Sequence, residues 1–259
     1  MRFPRSAMAL AVLCTAGLVV AASGVLLPQE VHPAFARSIS NAESASSSGN
    51  NQKALALLKG VVYPEGVTVK IDESSIPDGR RNEAYNATAA SIKTWQAVLS
   101  GDSPLQFVGA NEEADIVIQF TNSIPADSAD CLGLIQLKKE YRWNNWQHEL
   151  GVSGTIHVMK SFNGKPLKYE EWNEVICHEL GHLLGLDDVT ENGKLMGPLR
   201  FGKPVLAPAT NEVDAVKTLR QAARQRIIQI EKSLRQENET PLSALLDSTE
   251  FQQLHGCSL

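Results

Sequence analysis

Residues 178–188, HELGHLLGLDD, carry the strongest functional signal in this sequence. His178 and His182 are four positions apart, so on a helix both side chains project from one face, at a separation that one zinc ion can bridge. Glu179 follows the first histidine, where its carboxylate can take a proton from zinc-bound water. The spacing predicts a catalytic zinc site, although a bare match of this kind also occurs on solvated helices that bind no metal.

Three carboxylates could complete such a metal site. Gly185 is suited to end the helix in a left-handed conformation, after which the chain can double back and bring Asp187 or Asp188 to the metal. Glu212 lies 30 residues after His182, on a second predicted helix that would have to run beside the first. Spacing alone leaves these alternatives open.

The segments around the motif read as strands and helices in a mixed order. A helical stripe runs from Asn82 to Leu99, the motif lies on a helix from about Tyr169 to Leu186, and a further helix begins near Thr210. A short helix is expected at KALALLKG. The strand signals are GVTVKIDES, PLQFV at 104–108, ADIVIQF at 114–120, CLGLIQL, and GTIHVM at 154–159. This order predicts an α+β fold in a single domain.

The first residues have the features of an export signal. MRFPR carries two arginines, an apolar run extends over about 7–27, and HPAFA places Ala34 and Ala36 in the small-residue pattern of a signal peptidase site. We therefore interpret residues 1–36 as a signal peptide cleaved after Ala36. The rival interpretation is an uncleaved membrane anchor, and both interpretations export the rest of the chain.

Composition divides the remaining sequence into three parts. Residues 37–59 begin with RSISNAESASSSGNNQ, which is rich in Ser and Asn, and we expect a flexible leader there. Residues 60–236 hold the predicted catalytic domain, and residues 237–259 form a C-terminal tail. The tail contains Cys257, which we expect to pair with Cys131, because Cys177 should lie within the motif helix.

The charge of the chain limits its partners. Its formal net charge is −5, and removal of residues 1–36 takes away two arginines and one glutamate, which makes the remainder more acidic. An acidic chain is not a general binder of polyanions, so we expect no nucleic-acid partner.

HELGHLLGLDD followed by LMGP resembles the metzincin clan of zinc endopeptidases, and most closely its matrixin-type members. Their pattern is H-E-x-x-H-x-x-G-x-x-H/D followed by a Met-turn. The likeness covers about residues 60–225 and includes the Trp-containing helix, PLQFV, ADIVIQF and TNEVDAVKTL. It implies a metzincin-like single catalytic domain with a twisted mixed β-sheet, an active-site helix, a Met-turn and a C-terminal helix.

The resemblance also implies roles for particular residues. His178, His182 and Asp188 would bind Zn²⁺, because Asp188 stands three residues after Gly185, the register of the family's third ligand. Glu179 would be the general base, and Met196 would form an apolar floor beneath the metal. Taking Glu212 as the third ligand would resemble the gluzincins instead, but it leaves Gly185 and the Met196 turn unexplained.

The sequence departs from the matrixin pattern in several respects. Aspartate replaces histidine at the third ligand, as in snapalysin-type enzymes, and no tyrosine follows Met196 by two positions. The Pro-Arg-Cys-Gly switch is missing, and no structural zinc or calcium loop is recognisable. We therefore expect activity without further proteolysis once residues 1–36 are removed.

By the same resemblance, an extended protein or peptide substrate would pair with an edge strand around residues 154–159. The backbone of Gly154, Thr155, Ile156 and His157 would then bind substrate, although the His157 side chain reads first as an ordinary sheet residue. Leu199 and Phe201, in the loop after Met196, would line an apolar pocket for a substrate side chain.

Together these inferences predict an exported zinc-dependent endopeptidase that is secreted or periplasmic. We expect a monomer that contacts a membrane only if the N-terminal segment stays uncleaved. The competing class is a secreted binding or adhesion protein that keeps zinc for stability alone. Such a protein needs metal ligands but has no use for Glu179.

Overall fold

The computed structural model describes residues 26–124, 131–144, 147–199 and 201–239. In these ranges the helices are α1 (Pro33–Ser47), α2 (Asn51–Val62), α3 (Arg81–Val98), α4 (Tyr169–Leu183) and α5 (Thr210–Glu239). The strands are β1 (Val67–Ile71), β2 (Leu105–Phe107), β3 (Ile116–Thr121), β4 (Gly133–Asn144), β5 (Gln147–Met159), β6 (Ser161–Phe162) and β7 (Lys165–Pro166).

A five-stranded mixed sheet in the order β2-β1-β3-β5-β4 forms the centre of the fold. The first four strands in this order run parallel, and β4 pairs antiparallel with β5. Alternate side chains of β1, at Val67, Val69 and Ile71, are buried against the helices. This architecture confirms the predicted mixed sheet with its active-site helix and last helix.

The edge strand lies one strand further out than the sequence suggested. Ile156 of β5 pairs with Ile118 of β3 on one side and with Ile135 of β4 on the other. The prediction that Gly154, Thr155, Ile156 and His157 form the edge is therefore wrong, because neighbouring strands occupy both sides of β5. Among the described strands, β4 is the one at this edge of the sheet.

Residues 37–59 are not a flexible leader but belong mostly to α1 and α2. Pro33 begins α1, and the Asn50 side chain caps α2 by accepting from the Lys53 N–H at 3.1 Å. The serines that suggested disorder bond back to helix carbonyls, as Ser38 Oγ does to Ala34 O at 3.0 Å. Small buried residues, Ala42, Ala45 and Ala54 among them, let the two helices pack closely.

The remaining boundaries also differ from the sequence-based ones. A cut after Ala36 would fall inside α1, and the domain start at residue 60 falls inside α2. The tail expected from 237 begins within α5, and residues 240–259 lie outside the described ranges. Cys257 is among them, so its pairing with Cys131 stays a prediction, whereas Cys177 is buried in α4 as expected. Within the described ranges, no helix is long and apolar enough to cross a membrane.

Buried polar contacts fix α4 against α3 and the sheet. Trp95 Nε1 donates to the Cys177 carbonyl at 2.9 Å, and Ser91 Oγ donates to Asn173 Oδ1 at 2.7 Å. Trp172 Nε1 donates to the Met159 carbonyl at 3.1 Å, which joins α4 to the end of β5. All three donors are buried, so these bonds set the position of the helix that carries the motif.

Lys139 of β4 joins the edge strand to the pair α1–α2. Its Nζ donates to the Gly60 carbonyl at 2.8 Å and lies 3.9 Å from the centre of the Phe35 ring. Burial lowers the pKa of Lys139 to about 7. The unfolded chain, in which Lys139 has its ordinary pKa of 10.5, therefore binds more protons than the folded chain between about pH 7 and 10.5.

We expect this difference to make the free energy of unfolding rise with pH in that window. Replacing Lys139 with Met should remove that contribution, so that the wild type gains stability relative to Lys139→Met as the pH rises from 6.5 to 9.5. Urea unfolding at several pH values measures the difference. Lys138→Met, at the exposed neighbouring position, is the control, and parallel curves for wild type and Lys139→Met would contradict the inference.

Candidate active site

Helix α4 carries the two histidines on one face, with their ring centroids 4.9 Å apart. The Nδ1 atom of His178 lies 2.8 Å from the Leu195 carbonyl, and that of His182 lies 3.0 Å from the Leu186 carbonyl. A carbonyl only accepts hydrogen bonds, so each Nδ1 carries the proton. In the neutral imidazole each Nε2 then keeps a lone pair, which is the form that binds a metal.

The carboxylate of Asp188 completes a group of three potential ligands. Its Oδ1 lies 3.2 Å from His178 Nε2 and 3.4 Å from His182 Nε2. Zinc bonds of about 2.0–2.2 Å in a tetrahedron would separate two ligand atoms by roughly 3.3 Å. Across the described residues, these are the His, Cys, Asp and Glu side chains that converge on a metal-sized space. The spacing and the chemistry of this donor set fit zinc.

The charged groups at the site shift one another's pKa values. Hydrogen bonds from both histidines hold the pKa of Asp188 well below its usual range. Burial alone would lower the pKa of His182, but Asp188 and Glu179 raise it to about 9. A metal ion that binds here would therefore displace a proton from this cluster.

Glu179 lies at the base of the same cleft and is almost fully buried. Burial raises its pKa, against the two histidines and a backbone hydrogen bond with Ile135, which lower it. Gly133 makes room for the carboxylate, since a Cβ atom there would come within 2.5 Å of Glu179 Oε1. The glycine within the strand sequence CLGLIQL was a readable sign of such a close approach.

A turn at Gly185 separates the roles of the two aspartates. Gly185 has a φ of +102°, and a Cβ atom there would lie 2.5 Å from Leu219 Cδ2, so the turn requires glycine. Two residues on, the Asp187 N–H donates to the Glu30 carbonyl and its carboxylate faces His32. Asp188 faces the histidines of α4 and Asp187 does not.

Met196 is fully buried against the active-site helix. A Cβ atom on Gly181 would lie 2.4 Å from the Met196 sulfur, so the glycine between the two histidines admits this side chain. Glu212 holds the turn in place, because it accepts from the Met196 N–H at 2.8 Å and from the Ala209 N–H at 2.6 Å. Glu212 is buried in that role and is not part of the metal-sized group.

Two further glutamates of α4 hold the loop after Met196. Glu171 accepts from the Gly202 N–H and Glu174 accepts from the Val205 N–H, each at 2.8 Å. Burial raises the pKa of Glu174, and the Val205 bond lowers it. These contacts could not be predicted from the sequence, because only the folded loop brings residues 202–205 beside the helix.

The histidines and Glu179 open into a cleft of about 960 Å³. Leu199 lines this cleft, whereas Phe201 packs near Phe162, with ring centroids 6.0 Å apart, and is not among the lining residues. His157 stays in the sheet beside Gln136. Sequence reasoning missed the other walls of the cleft, which are β4 and the start of α1: His32, Ala34, Phe35, Ser38, Leu134, Ile135, Leu137 and Lys139.

Two comparisons bear on this arrangement. The family model described as matrixin matches residues 63–219. An interstitial collagenase of Oryctolagus cuniculus is 27% identical over 149 residues, which cover 57% of this chain and 30% of the collagenase. The chain therefore spans less than a third of that relative. Residues 26–62, with α1 and α2, precede the segment that the family model matches.

The position of Glu212 predicts a structural effect without loss of the metal site. Glu212→Ala would leave the N–H groups of Met196 and Ala209 without their acceptors, at a cost of about 2–4 kcal/mol in the free energy of unfolding. The variant should still bind one zinc ion at saturating zinc. Chemical unfolding and metal analysis measure the two effects.

Asp214→Ala, at an exposed position in the same helical turn, is the matched control. Loss of zinc from Glu212→Ala with unchanged stability would show that Glu212 is a ligand.

Proposed function

The chain belongs to the matrixin family, and from this premise we propose that it is an exported zinc-dependent endopeptidase. In this proposal His178, His182 and Asp188 hold the zinc ion, and Glu179 is the general base. The observation that carries the proposal is the set of three ligand atoms, in which Asp188 Oδ1 lies 3.2 Å and 3.4 Å from the two Nε2 atoms, with a buried carboxylate beside them in an open cleft.

Each residue has a defined task in peptide hydrolysis. Bound zinc would supply a Lewis acid that polarises the scissile carbonyl and acidifies a water molecule. Glu179 accepts the proton of that water and later delivers it to the leaving amine. Its burial and raised pKa favour the first of these steps, because a carboxylate of raised pKa takes a proton from water more readily than one of ordinary pKa. The carbonyls of Leu195 and Leu186 keep the imidazoles oriented throughout.

We place the substrate along β4. An extended peptide can add to the edge of a sheet through backbone hydrogen bonds, and β4 lies both at the edge and beside Glu179. Leu199 also lines the cleft and would contact a substrate side chain. The glutamates Glu171 and Glu174 support this recognition indirectly, since they fix the loop that follows Leu199.

Export rests on the sequence before the described residues. The arginines of MRFPR and the apolar run that follows have the character of a signal segment. A secreted or periplasmic enzyme acting on proteins or peptides agrees with the acidic charge of the chain.

Two other functions find less support. A binding protein that uses zinc only for stability would have no reason to bury Glu179 beside the ligands and to leave a cleft above it. A peptidase with Glu212 as third ligand would need that carboxylate at the histidines, and both of its oxygens accept from backbone N–H groups elsewhere.

Substitution of Glu179 tests its role as general base. Glu179→Gln should keep its zinc but lose about two to four orders of magnitude in peptide hydrolysis, because proton transfer by a placed side chain contributes about that much. Hydrolysis of a peptide library and zinc content after dialysis are the measurements. Glu170→Gln, at an exposed position on the same helix, is the control. Undiminished hydrolysis by Glu179→Gln would refute the mechanism.

Substitutions of Asp187 and Asp188 distinguish the two aspartates as candidate zinc ligands. Asp188→Asn should greatly weaken zinc binding, because it removes the anionic ligand, whereas Asp187→Asn should bind zinc nearly as the wild type does. Titration with a competing chelator gives both affinities. Wild-type affinity in Asp188→Asn would rule out the proposed ligand set.

A further inference from the structure

The segment that precedes α1 and enters its first turn packs against the loop of the third proposed ligand. Residues 27–36 are called the N-terminal brace below. They lie before the segment matched by the family model, and Leu27, Val31, Phe35 and Ala36 are buried. The sequence predicted that these residues would be removed with the signal peptide, but their burial indicates that they are part of the folded domain.

The backbone of the N-terminal brace pairs with the turn after α4. Val31 forms an antiparallel bridge with Leu186. The His32 N–H donates to the Gly185 carbonyl at 2.8 Å, and the Asp187 N–H donates to the Glu30 carbonyl at 2.8 Å. These contacts fix the backbone of the three residues that immediately precede Asp188.

Side chains of the N-terminal brace act on the same loop. His32 Nδ1 accepts from the Ala34 N–H at 3.1 Å, so its proton is on Nε2, which lies 3.8 Å from Asp187 Oδ1. The Asp187 carboxylate thus lies beside His32 and is not part of the group that His178, His182 and Asp188 form. The Phe35 ring packs on Gly185, where a Cβ atom would lie 3.2 Å from Phe35 Cδ1.

Glu30 extends the contact to the other two elements behind the site. Its carboxylate accepts from the Asn211 side chain at the start of α5, and Lys194 Nζ, in the loop that leads to Met196, lies 4.0 Å from it. The N-terminal brace thus contacts the ligand loop, the Met196 loop and α5.

The position of Asp188 depends on the N-terminal brace, because the Asp188 side chain makes few contacts of its own. Its side chain is 71% exposed, and its described contacts are those with His178 and His182. Its position is set by the backbone on both sides. After it, the Val189 N–H donates to the Met196 carbonyl, and before it, residues 185–187 pair with residues 30–32.

We propose that the N-terminal brace positions Asp188 as a metal ligand, and that the active enzyme therefore retains residues 27–36. This inference rests on the proposed function. It places any export processing before Leu27, and it makes His32 and Glu30 positioning residues rather than catalytic ones.

A backbone substitution at His32 provides the test in the full chain. His32 has a φ of −60°, which proline adopts, but proline has no N–H to donate to the Gly185 carbonyl and would push that oxygen away. His32→Ala removes the same side chain and keeps the N–H. We expect zinc to bind His32→Pro about tenfold more weakly than His32→Ala, the order expected for losing one well-placed hydrogen bond.

A double-mutant cycle distinguishes positioning from general stability. In an Asp188→Asn background the third ligand is already lost, so His32→Pro and His32→Ala should bind zinc equally, whereas a general weakening of the fold would reduce affinity in both backgrounds. Equal zinc affinity of the two His32 variants in the otherwise wild-type chain would overturn the proposal. So would a tenfold difference that persists with Asp188→Asn.

The mass of the active secreted chain provides an independent measurement. It should correspond to an N-terminus at or before Leu27, and an active form that begins at Arg37 would overturn the proposal even if the His32 variants fail to fold. A wild-type chain that neither binds zinc nor cleaves peptides would overturn the proposed function and this inference together. If the wild type binds zinc and is active, but His32→Pro and His32→Ala have equal zinc affinity, this inference alone is overturned.

Discussion

The hydrogen bonds from His178 and His182 to the carbonyls of Leu195 and Leu186 are the contacts on which the rest of the site depends. They fix the tautomer and the orientation of both rings, and so the positions of the two Nε2 atoms. Neither acceptor belongs to α4, because both lie in the chain that follows it. The metal-binding geometry is therefore only as rigid as that chain, and much of the surrounding structure serves to hold it still.

Buried glutamates fix the chain that follows α4 through hydrogen bonds to its backbone. Glu212 accepts from the Met196 N–H next to the Leu195 carbonyl, and Glu171 and Glu174 accept from N–H groups of the loop that follows. A carboxylate accepts hydrogen bonds strongly, and a buried one that lost its donors would be costly, so each contact fixes a loop that has little apolar surface of its own. The acidic residues near the motif thus divide into the proposed ligand, the proposed base and the glutamates that support the loops.

The start of α1 adds a wall to the cleft, and the whole pair α1–α2 precedes the segment that the matrixin model matches. It is attached from both sides, by Lys139 of β4 and by the pairing of residues 30–32 with the turn after α4. Because one attachment reaches the edge strand and the other reaches the loop of Asp188, the same helices lie beside both the proposed substrate surface and the proposed metal site. A change in their packing would affect both at once.

The sequence by itself determined the features that depend on local spacing. The four-residue interval of the histidines, the strand alternation in Val67–Ile71 and the glycine at 185 each state a local geometry, and the helix, the strand and the turn are all present. Tertiary structure decided which strand forms the edge, since β4 and β5 read alike until their partners are known. It also decided that the serine-rich segment folds, because the small residues of α1 are stable as a helix only when packed on α2 and the turn at Gly185. The function of Glu212 was decided in the same way. The fold brings the N–H groups of Met196 and Ala209 to this buried carboxylate, and these two donors determine its role.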